Sequence, residues 1–376
     1  MITILIGGDI CPAGKIQTAF AAGLANDIFH DLLPEIGGAD LAVANLECPL
    51  VTHPTPIPKA GPVLSATPNS VRGLVAAGWH VLNLANNHSY DHGTAGLVET
   101  IATIQSAGLV VVGAGNSIEA ARKPLVRNIN GEGVVIYSMA EREFSVADQH
   151  IPGANPLDLI SFVESIQEHK ASGVFIVLLH GGKEHYDYPP PEMIRRCRFM
   201  VDMGADAVVC CHTHCPLPWE VYRGRPIIYG LGNLVFEWEK PGYSSWHMGY
   251  LAKLTVAQGR VAFKPIPYTQ GLRSPGAHLL NEPERTRFLV EMEERGAKLH
   301  DPRFIEEAWQ RHCQEQAESY MASLFGYNRL MRKVRRHLLR LLHTREDTLR
   351  ALLLTQCETH SEVLNAILKS WRHLSR

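Results

Sequence analysis

Five short polar clusters punctuate the first two thirds of this 376-residue chain, each directly after an apolar run rich in branched side chains. They are Gly7-Gly8-Asp9, Asn45-Leu46-Glu47, Asn86-Asn87-His88, His180-Gly181-Gly182 and His212-Thr213-His214. The preceding runs, 2–6, 41–44, 81–85, 174–179 and 207–211, read as buried strands. A polar residue just past such a strand lies at its C-terminal end, where α/β sheets bind ligands. Segments far apart in the chain are thereby expected to meet at one sheet edge. Carboxylate, amide and imidazole gathered there suit a divalent metal.

Amphipathic segments at 94–107, 157–170 and 191–203 fall between the apolar runs, which gives an α/β organisation. Further on, 249–256 and 260–267 read as a hairpin turning at Gln258-Gly259, so a mixed sheet or two packed sheets is expected. The Pro-rich stretch 53–62 is a loop that could cover a site. After Pro283 glycine and proline almost vanish and helix formers dominate. Two domains are therefore expected, 1–280 and an all-helical 281–376. In the second, Leu330, Met331, Val334, Leu338, Leu341 and Leu342 recur at helical spacing among Arg329, Arg332, Lys333, Arg335, Arg336, Arg340 and Arg345. Such a helix could lie on an anionic membrane or dock on a protein, or simply pack against its neighbours with its charges solvated.

A formal net charge of −2 and a pI near 6.8 argue against a globally basic nucleic-acid binder, and no nucleic-acid partner is expected. No run of about 18 apolar residues predicts a membrane span. The first residues enter a strand and a candidate ligand at once, where a secretory signal would need a basic segment and an apolar core. Eight cysteines without a Cys-x-x-Cys pair fit reduced thiols. The expected location is cytoplasmic, with the basic tail able to hold the chain at a membrane periphery.

Each cluster alone also has a plain reading. Asp9 could form a turn or cap a helix, and Glu47 could be a surface carboxylate. Asn86 and Asn87 could bond to backbone with His88 capping the next helix, and His180 could be a core histidine. His212 and His214, two apart in an extended segment, face the same side and can reach one centre. Cys210, Cys211 and Cys215 suggest structural zinc, but adjacent cysteines in a strand point to opposite faces, and core thiols are the simpler reading.

Taken together, Gly8-Asp9-Ile10, Asn45-Leu-Glu-Cys-Pro-Leu50, Ala85-Asn-Asn-His-Ser-Tyr-Asp-His-Gly93 and Gly204-Ala-Asp206 leading into His212-Thr-His214 resemble the CapA family. Gly113-Ala-Gly-Asn116, His180-Gly-Gly-Lys-Glu184 and Tyr229-Gly-Leu-Gly-Asn-Leu-Val-Phe236 extend the resemblance from residue 2 to about 236, in the family's order. These are capsule-synthesis proteins of the calcineurin-like metallophosphoesterase superfamily. The resemblance implies a calcineurin-like metallophosphatase sandwich of two mixed β-sheets flanked by helices, here with the all-helical C-terminal extension. It also implies one or two divalent ions (Mn, Fe or Zn) held by Asp9, Glu47, Asn87, His180, His212 and His214.

By the same resemblance, His88 serves the leaving oxygen or the transition-state charge, with Asp91 orienting it, and metal-bound hydroxide hydrolyses a phosphoester. Lys59, Arg142, Lys183 and Glu184 are weaker candidates for contacts to a phosphoester or anionic polymer substrate. Cys11 stands where the wider phosphoesterase pattern has histidine, so the first metal either loses a ligand or gains a thiolate. The family's context places the chain in capsule or other cell-envelope polymer synthesis. Two alternatives stay open: a non-hydrolytic metal-binding subunit of a polymer-synthesis assembly, and an amide hydrolase or transferase acting on polyglutamate-like substrates.

Overall fold

The N-terminal strand, Ile2–Cys11, turns Ile2, Ile4 and Ile6 to one face and Leu5 to the other, as side chains of period two must. Both faces are apolar, so both need covering. The structure, a computed structural model, describes residues 1–237, 244–272 and 274–324, with isolated positions between 349 and 360. Packing divides the chain into Met1–Ile305 and Glu306–Arg376.

Among the described residues, one mixed sheet runs Ala277–Leu279, Arg260–Gln270, Met248–Ala257, Ile2–Cys11, Leu41–Leu46, Val81–Asn83, Val110–Val112, with Asn233–Phe236 also paired to Ile2–Cys11. The second runs Trp219–Tyr222, Arg225–Ile228, Ala207–Cys211, Val174–His180, Glu132–Ala140, Leu125–Ile129. Val43, Val81 and Leu254 of the first sheet meet Ile136, Ile176 and Val209 of the second in the central core. On the outside of the first sheet, Leu5, Ala44 and Leu82 pack with Phe20, Leu74 and Leu97 from helices. Outside the second, Tyr137, Phe175 and Val208 pack with Phe162, Met193 and Met200. The result is a mixed α/β sandwich with two sheets inside and helices on both outer faces.

The site-forming strands run parallel. Ile2–Cys11, Leu41–Leu46 and Val81–Asn83 pair in sequence, as do Glu132–Ala140, Val174–His180 and Ala207–Cys211. Register sets Asp9 beside Asn45 and Asn45 beside Asn83, and sets His180 beside both Ala140 and Cys211. Parallel strands end together, so their trailing polar residues share one edge. The three amphipathic segments form helices Gly93–Ser106, Leu159–His169 and Pro191–Asp202. The hairpin turns at Gln258-Gly259, with φ of 51° and 70°, the geometry of a two-residue type I′ turn.

A local irregularity decides what faces the site. Register slips between Asp9 and Ile10 against Asn233–Phe236, and between Gly7 and Asp9 against Leu41–Leu46. A bulge breaks strict alternation, and Ile10 and Cys11 both enter the helix-side core. There Cys11 joins Cys48 in the same core cluster. Gly8 allows the bulge, because a Cβ at that position would stand 2.0 Å from the Gly232 carbonyl oxygen.

Helix Glu282–Lys298 starts with a capping box between Asn281 and Glu284, and packs Phe288 and Met292 into the central core. Helix Pro302–Leu324 follows. The expected basic amphipathic helix over 329–345, and about half of the expected helical extension, lie outside the described residues. Among the described residues, no helix is long and apolar enough to cross a membrane.

Candidate metal centre

Asp9 is fully buried at the end of the first strand, and each of its oxygens has a donor. Asn45 Nδ2 donates to Oδ1 at 2.7 Å, and the His212 backbone N–H donates to Oδ2 at 3.1 Å. Close by, His214 donates from Nδ1 to Asn233 Oδ1 at 2.8 Å. The Asn233 amide nitrogen donates to the His214 and Trp246 carbonyls, which fixes its oxygen as the acceptor. That bond assigns the His214 proton to Nδ1 and leaves Nε2 as the ligand atom. His212 is turned the other way. Its Nδ1 lies 3.1 Å from His180 Nε2, while its Nε2 is 3.8 Å from both Glu143 Oε1 and Glu184 Oε1.

Donor atoms gather in two groups. Asp9, Glu47 and His214 form one, and Glu47, His180 and His212 the other, each within 4.8 Å. Asn87 joins the second: its Oδ1 is 3.0 Å from His180 Nε2, and its Nδ2 donates to Glu143 Oε2 at 3.3 Å, so the amide oxygen faces inward. Glu47 belongs to both groups. Its carboxylate oxygens are buried and make no hydrogen bond, although His180 Nε2 is 3.3 Å from one of them. A buried carboxylate without donors is costly unless a cation compensates it. The donor set thus fits a divalent cation held by oxygen and imidazole ligands, with Glu47 common to both groups. Among the described residues no cysteine belongs to either group, and Cys210 and Cys211 point into cores on opposite faces of their strand.

Burial tunes these groups for that task. It raises the Asp9 carboxyl to about 7, against the opposing hydrogen bonds from Asn45 and His212. Burial, then the Asp9 charge, pushes Glu47 well above the usual carboxylate range. The imidazoles move the other way: desolvation lowers His212 and His214 to about 3 and His180 well below its ordinary value. Neutral imidazoles are what a metal requires. His212 and His214 also adopt φ of 97° and 54°, in the left-handed region that side chains seldom occupy, a strain characteristic of functional sites.

A pH dependence follows for the metal-free protein. The folded carboxyl of Asp9 titrates near 7, above its unfolded value of about 4. Its contribution to stability is complete below about pH 4 and is lost as pH rises through 7. The three imidazoles, held below their ordinary range, act in the opposite sense up to about pH 6.5, so the Asp9 share is read as a difference: metal-free wild type is expected to lose melting temperature relative to metal-free Asp9→Asn as pH rises from about 4 to 7. Differential scanning calorimetry across that range is the check.

Beside the donor groups opens a cavity of about 390 Å³, lined among others by His88, Glu143, Glu184, His214, Phe236 and Trp246. Cavities of about 550 and 690 Å³ lie elsewhere, but neither contains these donors. His88 is buried at the cavity wall, and its Nδ1 donates to Asp91 Oδ2 at 2.7 Å. Nε2 is left for whatever occupies the cavity.

Residues 3–238 match the family described as bacterial capsule synthesis protein PGA_cap. The chain belongs to this family. A protein of Bacillus subtilis named PGA biosynthesis protein CapA is 31% identical over 278 residues, spanning 71% of this chain and 72% of its own length. The capsule biosynthesis protein CapA of Bacillus anthracis is 30% identical over 63% of this chain and 60% of its own. A probable polyglutamine synthesis accessory protein of Mycobacterium tuberculosis is 32% identical over 46% and 50% respectively.

Every donor residue named above falls inside the PGA_cap match. Of the other sequence candidates, Glu184 lines the cavity and Lys59 reaches its wall with the ammonium turned onto Asp91. Lys183 lies near enough to His212 to help lower its basicity. Arg142 is exposed and does not line the cavity. Sequence reasoning passed over Glu143, although Glu141-Arg-Glu143 follows the apolar strand Glu132–Ala140 just as the five chosen clusters follow theirs. It also assigned no part to Asn45 or Asn233, whose amides hold Asp9 and His214.

Proposed function

We propose that the chain is a metal-dependent phosphoesterase with a calcineurin-like metallophosphatase sandwich, acting in capsule or other cell-envelope polymer synthesis. Glu47 carries the reading: its buried carboxylate makes no hydrogen bond and belongs to both donor groups, beside a cavity lined by Asn87, His88 and His214. Two divalent ions (Mn, Fe or Zn) held there supply an activated water and neutralise phosphoryl charge. The chain's own residues do the rest. Asp9 and His214 hold one side of the centre, and Asn87, His180 and His212 the other. His88, aligned by Asp91, hands a proton to the leaving oxygen from Nε2. The biosynthetic names of the relatives support the pathway.

The description of the mycobacterial relative as an accessory protein favours a second reading. In it the domain binds metal without turnover inside a synthesis assembly. The two are separated by protein stripped with chelator and reloaded with Mn²⁺, assayed on p-nitrophenyl and bis-p-nitrophenyl phosphate. Hydrolysis restored by reloading and abolished again by chelator is the expected result. Protein that measurably holds Mn²⁺ and hydrolyses neither ester would leave the accessory reading standing.

A further inference from the structure

The segment 52–63 has no helix or strand, and all its residues are exposed except Ile57 and Lys59, which are half-buried. Lys59 is unusual in this setting: its side chain is 2% exposed, and Asp91, its partner, 0%. Its Nζ donates to Asp91 Oδ1 at 2.6 Å and to the Asn87 carbonyl at 3.2 Å, and stands 3.4 Å from His88 Nδ1, whose proton is turned to Asp91. The other Asp91 oxygen receives His88 Nδ1–H and the Leu64 backbone N–H, both at 2.7 Å. Nearby ties end on the same turn, Ile57 N–H on the Asp91 carbonyl at 2.9 Å and Thr55 Oγ1–H on the His92 carbonyl at 3.2 Å.

We propose that segment 52–63 is a working part of the catalytic site, and that Lys59 is a positioning residue that aligns His88 through Asp91. A buried ion pair seldom recovers its desolvation cost as stability, so anchorage alone would be better served by an apolar side chain. What the pair provides is direction. With Oδ1 held by the ammonium, Asp91 presents Oδ2 to His88 in one orientation, and the ring turns Nε2 to the cavity that both Lys59 and His88 line. Opening of the segment removes the ammonium from Asp91 Oδ1, and His88 loses its alignment. Closure of the segment and assembly of the proton-transferring group are one event, a way for a loop to complete a catalytic constellation.

The catalytic half of this inference rests on the phosphoesterase reading, and the latch itself does not. Lys59→Met, Lys59→Arg, Asp91→Asn and the Lys59→Met/Asp91→Asn pair are made in the full chain and loaded with Mn²⁺. Lys59→Met is expected to lower kcat at least about tenfold with KM and metal content little changed, and to add nothing in the Asp91→Asn background. Lys59→Arg, which keeps the charge, is expected to restore most of the lost kcat. Thermolysin cleavage within 52–63 is measured on the same proteins and needs no substrate. It is expected to accelerate at least about tenfold in Lys59→Met and in Asp91→Asn. Faster cleavage in proteins that hydrolyse no phosphoester upholds the latch while removing the phosphoesterase reading. Unchanged cleavage, or kcat losses that add in the double variant, overturns the proposal.

Discussion

Glu47→Gln is expected to empty both metal positions at once. Its carboxylate belongs to both donor groups, so losing its charge should weaken each position by more than the roughly 10–100-fold that follows loss of an outer-shell partner. His212→Ala and His214→Ala each remove a donor from one group only. Metal analysis after dialysis should therefore show the glutamine variant nearly bare and each alanine variant partly loaded. Thermal melting adds a signed check. Burial holds the metal-free Glu47 carboxyl well above its ordinary range, so its neutral form is favoured in the empty site and a neutral amide of the same shape is the mildest replacement. The metal-free variant should melt close to metal-free wild type, whereas the rise that Mn²⁺ gives wild type should vanish. A glutamine variant that holds as much metal as wild type would remove Glu47 from the metal-holding set.

His88→Asn is expected to leave metal content intact and lower kcat by about 10²–10⁴, the range general acid–base groups contribute. The side chain lines the cavity and belongs to neither donor group, so loss of turnover and loss of metal should separate. Asparagine keeps a short polar group beside Asp91, which limits the damage to the turn. Single-turnover measurements on Mn²⁺-loaded protein distinguish a slowed chemical step from slowed product release. Equal kcat in variant and wild type would exclude proton transfer by His88.

Much of the site was legible because strands in a parallel sheet end at a common edge. Asp9, Glu47, Asn87, His88, His180, His212 and His214 each follow a buried run, and the structure draws them into one cluster. The same rule applied to Glu132–Ala140 points to Glu143, beside His212 and Asn87. Lys59 is different in kind. It lies in a proline-rich stretch without periodicity, and its burial depends on where that stretch folds back onto residues 87–92, which local pattern does not encode. Arg142 shows the converse, a cation next to a site residue in sequence whose side chain stays at the surface.

Cys11 separates the two levels most clearly. Two residues beyond Asp9 in a regular strand, its thiol would share the face of the metal donors. The slip between Asp9 and Ile10 turns it to the helix-side core beside Cys48. That slip arises where Gly232 crowds Gly8, a contact between segments more than two hundred residues apart in the chain. The ring settings of His212 and His214 depend likewise on distant partners, His180 for one and Asn233 for the other. Hydrophobic periodicity and residue type act over a few neighbours, so the sequence by itself determined the strands, their polar ends and the kind of ligand present. Only the tertiary structure decided which donors share Glu47, which ring nitrogen faces inward and which thiol turns away, because those depend on contacts formed after the sheets have packed.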